Sequence, residues 1–451
     1  MDKTTEKKTL GVISLGCDKN RVDSEKLMAI AGDDFTLTSA IEQAQIIVVN
    51  SCAFLESARK EALAAVFECN EYRKTGKLEK LILTGCFPER FIDDLFDDLV
   101  EVDGFLGTFD YDLFKLTVDE CYAGKRVNNV KNGKREVTTK RVVSTSLHYA
   151  YLKIADGCNN RCAYCLIPSI RGKYVSEPIE KLVEETVGLG DVSELILVAQ
   201  DVTRYGMDLY GKKSLVPLIK RLTALDNVGS VRLLYCYPDM IDNELIAELS
   251  SNDKLIKYLD IPLQHASEKV LKAMNRRGSG EDYLTLINKI KEQVPSVALR
   301  STFIAGFPGE TQEDTETLKD FLKKAKFMNA GFFAYSREAG TPAYDFPDQV
   351  AQKVKRERVR ELYKLQKEIS AANLSAFKGK TIKVVCDGID YDKQRFVGRA
   401  YFQAPDIDGK VYFTAPDGLV VNQGETYLVR ISRTGCYDLY GKAEACQPRV
   451  I

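Results

Sequence analysis

The 451-residue chain reads as an α/β protein in three parts: an N-terminal α/β domain on a parallel sheet, a partial (β/α)6 barrel, and a small C-terminal antiparallel β-barrel. Three observations predict this. Short apolar runs alternate with helical stretches up to about residue 125, which is the pattern of a parallel sheet with crossover helices. The alternation resumes near residue 148 and continues to about 345. Past Lys378 it gives way to short alternating strands separated by turn residues. At roughly 150 residues per domain the length suits three parts.

Taken in order, residues 8–125 offer strand LGVIS, a helix near 23–31, strand IIVV, a helix near 56–72, strand LILT and another helix. Residues 126–147 are polar and basic without a sustained helical period and read as a linker, in which VTTKRVV could pair as an edge strand. Residues 148–376 carry six strand candidates, YAYLKI, ELILVA, VRLLY, YLDIPL, ALRSTFIAG and GFFAYS, each followed by room for a crossover helix. Such a barrel places function at the carboxyl ends of its strands. A long charged helix at 350–376 is expected to pack across its back. Residues 378–451 hold TIKVVCDG, FVGRAYF, KVYFTA, TYLVRIS and CYDLYGK, five strands in a small barrel.

Composition narrows the chemistry. Lys plus Arg number 64 against 65 Asp plus Glu, so the chain lacks the basic excess of a protein that coats nucleic acid. No apolar run approaches the about 18 residues a membrane span needs, and the opening MDKTTEKKTL has no apolar stretch for export. We expect a cytoplasmic protein without a membrane partner. Cytosolic thiols stay reduced, so clustered members of its 12 cysteines are better read as metal or redox ligands than as disulfides. Only His148 and His265 are present, and no Trp, which argues against a His-rich metal site or a Ser/His/Asp triad as the centre of the chemistry.

Cys158, Cys162 and Cys165 lie in ADGCNNRCAYCLIPSIRG just after the first barrel strand, spaced C-x3-C-x2-C with Tyr164 before the last cysteine. Three thiolates on one loop can hold three irons of a 4Fe-4S cube and leave the fourth iron open. That iron can take the amino and carboxylate groups of S-adenosylmethionine, whose reductive cleavage yields a 5′-deoxyadenosyl radical. The competing reading is a structural zinc with a fourth ligand from elsewhere. This motif, opening a (β/α) barrel, resembles the radical S-adenosylmethionine superfamily. The resemblance implies that Tyr164 contacts the cofactor, that Gln200 and Asp201, ending strand LILVAQD, face its methionine end, and that Ile304 and Gly306 in STFIAGFPGET receive adenine. Strand-end polarity and a turn glycine are the plainer alternatives.

A second set stands in the N-terminal domain. Cys17 in SLGCDKN, Cys52 in NSCAF and Cys86 in TGCFPER each fall just past a candidate parallel strand, so all three should meet at the sheet edge where α/β folds place ligands. They read as a second three-cysteine cluster site, against the alternative of inert core thiols. Cys69, Cys121, Cys236, Cys386, Cys436 and Cys446 show no ligand spacing and read as core or surface thiols. His265, ending a barrel strand, either faces the cavity or is held structurally.

Two three-cysteine sets, a radical barrel and a terminal barrel in this order resemble the methylthiotransferases, built from an auxiliary-cluster domain, a radical core and a TRAM domain. The likeness runs from Gly11 to about Gly441. SLGCDKNRVDSE, NSCAFLESA, GCNNRCAYCLIPSIRGKY, VAQDVTRYGMDLYG and CYDLYGKA look like the RimO-type branch, which modifies an aspartate of the twelfth small-subunit ribosomal protein. The branch acting on transfer RNA usually carries Gln-Met after the first cysteine and Gln-Asn at the second barrel strand, where this chain has Asp18-Lys19 and Gln200-Asp201.

The resemblance implies two 4Fe-4S clusters and two S-adenosylmethionine per turnover. It further implies a radical that abstracts hydrogen from the aspartate β-carbon, and a cluster on Cys17, Cys52 and Cys86 that carries the sulfur. A reductant such as flavodoxin or ferredoxin and an unspecified sulfur donor complete the scheme. Two competing classes are the same chemistry on transfer RNA and a noncatalytic iron–sulfur electron carrier. From Lys380 onward, ten Lys/Arg face nine Asp/Glu, a near-neutral module that argues for a protein substrate and makes transfer RNA an unlikely one. The run from Glu89 to Glu120 holds eleven Asp/Glu against Arg90 and Lys115, either a solvated helix face or a surface for a basic protein.

Overall fold

The computed structural model describes residues 7–134, 138–146 and 148–447. They form two compact units. The first comprises the chain up to Ser144 with residues 156–160 and 166–189; the second comprises residues 145–155, 161–165 and the chain from Gly190 on.

In the first unit the strands β1 (Thr9–Ser14), β2 (Thr36–Leu37), β3 (Ile46–Ser51), β4 (Lys80–Gly85), β5 (Gly104–Phe105) and β6 (Val127–Asn128) make one sheet in the order β2-β1-β3-β4-β5-β6. Every pairing is parallel. Helices cover both faces, which is why β3 is buried along its whole length and reads as a continuous apolar run. The helices are α1 (Asp18–Ala31), α2 (Glu56–Thr75), α3 (Cys86–Asp98) and α4 (Phe114–Tyr122).

α1 starts earlier than the expected residue 23 because its first turns turn polar side chains inward: Lys19, Asn20, Asp23, Ser24 and Glu25 are all buried, so no apolar period marks them. The two-residue strands β2, β5 and β6 carry too little pattern to be foreseen. The expected edge strand VTTKRVV does not form: residues 138–143 hold no strand, and Val137 lies outside the described residues. Arg141 is instead buried as an anchor, bonding Glu25 and Glu185.

In the second unit β7 (Tyr149–Lys153) opens a six-stranded parallel sheet. At the short strand β8 (Ala155–Asp156) the chain passes back to the first unit, which holds α5 (Ile167–Ile170), β9 (Val175–Ser176) and α6 (Ile179–Gly188). The sheet continues through β10 (Glu194–Val198), β11 (Val231–Leu233), β12 (Leu255–Asp260), β13 (Ala298–Ala305) and β14 (Asn329–Ala334) in the order β14-β13-β12-β11-β10-β7. The six expected strands are thus the six observed, and the sheet stays open as an incomplete barrel. Its helices are α7 (Leu215–Thr223), α8 (Asn243–Ser251), α9 (Glu268–Ala273), α10 (Gly280–Gln293) and α11 (Gln312–Ala325). Capping boxes at Ser279 and Thr311 fix where α10 and α11 begin.

The charged helix α12 (Gln352–Ser375) does not cross the back of the barrel but lines its edge strand β14. There the Tyr363 ring meets Phe332 at 5.1 Å and its hydroxyl accepts the Phe332 N–H at 3.3 Å. Five strands, β15 (Thr381–Asp390), β16 (Arg395–Arg399), β17 (Val411–Thr414), β18 (Thr426–Thr434) and β19 (Leu439–Gln447), close a barrel in the order β15-β16-β17-β19-β18. Four of its seams are antiparallel, as expected; the β17–β19 seam is parallel. Buried ion pairs tie this barrel to the first strands of the larger one. Glu194 bonds Arg232 and, at 2.8 Å, Arg399, while Asp387 receives Arg399 Nε at 2.9 Å and lies 2.8 Å from His148 Nε2. Among the described residues no helix is long and apolar enough to cross a membrane.

Candidate cluster and cofactor site

β1, β3 and β4 are neighbours, so their carboxyl ends lie side by side, and Cys17, Cys52 and Cys86 stand just beyond them. Two glycines let the chain turn there. Gly16 has φ +87° and Gly85 φ +95°; a Cβ on Gly16 would lie 2.6 Å from Cys52 Cβ, and one on Gly85 would lie 2.3 Å from Asn50 Oδ1. Cys17 caps α1, and Cys86 begins α3. Asn20, one turn into α1, organises the group. Its Oδ1 lies 3.9 Å from Cys17 Sγ and 4.0 Å from Cys86 Sγ, while its Nδ2 donates to the carbonyls of Leu15 at 3.2 Å and Ser51 at 3.0 Å.

Burial pushes the Cys86 thiol up to about 12 and raises Cys52 as well, with the neighbouring Cys17 adding to both. The buried guanidinium of Arg171 pulls the other way. It donates to Asn20 Oδ1 at 2.5 Å, to Asp23 at 2.7 Å, to Asp156 at 2.9 Å and toward Cys86 Sγ at 3.6 Å. Among the described residues no three Cys, His, Asp or Glu side chains stand close enough together to hold a single metal ion. The donor set at the sheet edge, three soft thiols beside a fixed cation, suits an iron–sulfur cluster, whose binding would displace the thiol protons.

On the second cysteine loop, Cys158 belongs to the first unit; its N–H donates to the Gly172 carbonyl at 3.1 Å and its sulfur accepts the Asn160 N–H at 3.4 Å. Cys162 and Cys165 belong to the second unit and are joined by a turn, Cys165 N–H to Cys162 carbonyl at 3.0 Å. The Cys162 sulfur lies 3.5 Å from the Tyr237 hydroxyl and 3.9 Å from Arg276 Nη1, and Arg276 sits 4.2 Å over the Tyr237 ring. Tyr164 packs with Ile304 against Ala163, Val270, Met274, Phe307 and Tyr335, so these two expected cofactor residues share one apolar cluster.

Asp201 and Gly306 are engaged locally. Asp201 caps the turn Val202–Arg204, accepting from Thr203 N–H at 3.1 Å and Oγ1 at 2.6 Å. Gln200 precedes it at the strand end, half-buried. Gly306 gives its N–H to Glu310 at 2.6 Å. His265 is fully buried; its Nδ1 accepts the Ser267 N–H at 2.9 Å, which settles it as a held residue.

Four residues of these sites, Asn20, Arg171, Tyr237 and Arg276, escaped the sequence reading. Asn20 and Arg171 stood within the motifs SLGCDKN and LIPSIRG, but nothing in spacing says which polar neighbour of a cysteine turns inward. Tyr237 and Arg276 come from distant segments, and no sequence signal points to them.

Three family models match the chain: Uncharacterized protein family UPF0004 over residues 9–107, the Radical SAM superfamily over 152–322 and the TRAM domain over 379–443. Among curated proteins, the Ribosomal protein uS12 methylthiotransferase RimO of Lachnoclostridium phytofermentans is 45% identical over 437 residues, covering 96% of this chain and 99% of that protein. Its namesake in Acetivibrio thermocellus is 42% identical over 451 residues, covering 97% and 98%. Among solved structures, the radical S-adenosylmethionine methyltransferase TsrM from Kitasatospora setae superimposes with a TM-score of 0.56 at 14% identity, covering 75% of this chain and 77% of that one, a likeness of fold. Alignment at this identity along nearly the whole length, through all three matched regions, places the chain in the RimO family of radical SAM methylthiotransferases.

Proposed function

We propose that this radical SAM methylthiotransferase adds a methylthio group to the β-carbon of an aspartate in ribosomal protein uS12. The substrate is the one in the name of its relatives. The observation that supports the reading is the meeting of Cys17 and Cys86 at Asn20, with Cys52 against Gly16, in a chain that also holds the C-x3-C-x2-C loop. The radical SAM match brings an iron–sulfur cluster and S-adenosylmethionine with it; a second cluster, and two S-adenosylmethionine per turnover, are our proposal. A cluster on Cys158, Cys162 and Cys165 would supply the electron that cleaves S-adenosylmethionine, and one on Cys17, Cys52 and Cys86 the sulfur that is methylated and transferred.

The chain's own residues prepare for this. Arg276 and Tyr237 hold Cys162 with donors suited to a thiolate. Tyr164 and Ile304 offer apolar surface of the kind adenine takes, and the buried Val270, Met274 and Phe307 behind them exclude water, which protects a radical. A small one-electron carrier such as flavodoxin or ferredoxin fits as reductant.

Mass analysis of ribosomal proteins and transfer RNA from cells with and without this chain tests the proposal. We expect a methylthiolated aspartate in uS12 that disappears with the chain. A second reading, the same chemistry on transfer RNA, is favoured by one feature of the terminal barrel. The half-buried Tyr440 stacks at 5.5 Å on the buried Tyr412, with Arg433 3.6 Å over its ring, a cation and aromatic of the kind that bind single strands. Methylthiolated adenosine in transfer RNA without a modified aspartate would establish that reading instead.

A further inference from the structure

Arg171, the residue that ends α5, is 3% exposed, and all its partners lie in the first unit. One edge of its guanidinium serves the Cys17/Cys52/Cys86 group: Nη2 donates to Asn20 Oδ1, the oxygen shared by Cys17 and Cys86, and toward Cys86 Sγ. The other serves two carboxylates, Asp23 and Asp156. Asp156 uses its second oxygen to accept the Gly157 N–H at 2.8 Å, and Gly157 precedes Cys158. One side chain therefore joins the sheet-edge thiols to the first residue of the other cysteine motif. Two buried carboxylates against one guanidinium leave the group with surplus negative charge even before a thiolate forms. A buried pair is costly unless its hydrogen bonds are made, and here Nη1 and Nη2 each serve two acceptors, a fork a lysine could not reproduce.

Resting on the auxiliary cluster proposed above, we propose that Arg171 is a positioning residue that favours the reduced form of the cluster on Cys17, Cys52 and Cys86 through its contact with the Cys86 sulfur. Reduction adds negative charge to the cluster and its sulfurs. A cation fixed within hydrogen-bond reach, where little water screens it, stabilises that charge and raises the potential. Asp156 meanwhile holds the backbone before Cys158 to the same guanidinium, so the two cysteine segments are set by one group.

The test uses the full chain with Cys158, Cys162 and Cys165 replaced by Ala, anaerobically reconstituted, so that any cluster present is the auxiliary one. In an EPR-monitored redox titration, Arg171→Met should shift the midpoint to lower potential, and Arg171→Lys, which keeps the charge and loses the fork, should shift it less. With Arg171 intact, pulsed EPR of the chain grown with 15N-arginine should show a nitrogen coupling to the reduced cluster, and Arg171→Lys should remove it. An unchanged midpoint in an Arg171→Met chain that retains about four irons, or no 15N coupling with Arg171 intact, would overturn the inference. Absence of iron from the reconstituted chain would instead remove the auxiliary cluster, and the proposed function with it.

Discussion

Burial holds the His265 imidazole down to about 4, so it is neutral in the folded chain at physiological pH. The unfolded chain has a histidine of ordinary affinity, near about 6.5, and binds more protons than the folded one between these values. Stability therefore rises with pH across that window and is lost as pH falls from about 6.5 toward 4, at up to about 1.4 kcal/mol per unit. We expect His265→Asn to be destabilised at pH 7 yet to lose less on going to pH 5, so that the two melting temperatures converge; parallel losses by calorimetry would assign the acid sensitivity to another group. At this scale the sequence showed the cysteines and little of what holds them. Cys17, Cys52 and Cys86 were legible because each follows an apolar strand. Arg171 was not, because its partners Asn20, Asp23 and Cys86 approach only once the sheet has formed.

α3 divides the acidic run into two kinds of residue. Glu89, in its first turn, bends back to accept the Thr108 N–H at 3.0 Å, and beyond the helix Asp110 is buried, binding the amides of Gly107, Lys131 and Gly133. These carboxylates build the unit. Asp93, Asp94, Asp97 and Asp98 instead point outward and are exposed. They form the surface that could steer a basic protein, an interaction screened by salt. Reversing three of them to Lys should weaken turnover of uS12 severalfold and flatten its salt dependence, while 5′-deoxyadenosine release without uS12 stays unchanged. Equal turnover would leave the helix a solvated face. Elements were legible where apolar periodicity ran long, as in all six strands of the partial barrel. They were missed where burial is polar, as at the start of α1, or where two residues suffice for a strand.

Over the whole chain, anaerobic reconstitution should give about eight irons, falling to about four when either cysteine triad is replaced by Ala. With Cys17, Cys52 and Cys86 replaced, 5′-deoxyadenosine should still form and methylthio product should not. Eight irons in either variant, or product from the latter, would dissolve the division of labour. The order of parts was legible because strand periodicity changes character past Lys378, whereas the parallel seam of the terminal barrel was not, since strand pattern carries no direction. That seam governs the order of assembly. β19 is the stave between β17 and β18, so until residues 439–447 are available the other four strands stand with two open edges, one on either side of the gap. During synthesis the module stays unsealed, and exposed to edge-to-edge association, until residues 439–447 have left the ribosome.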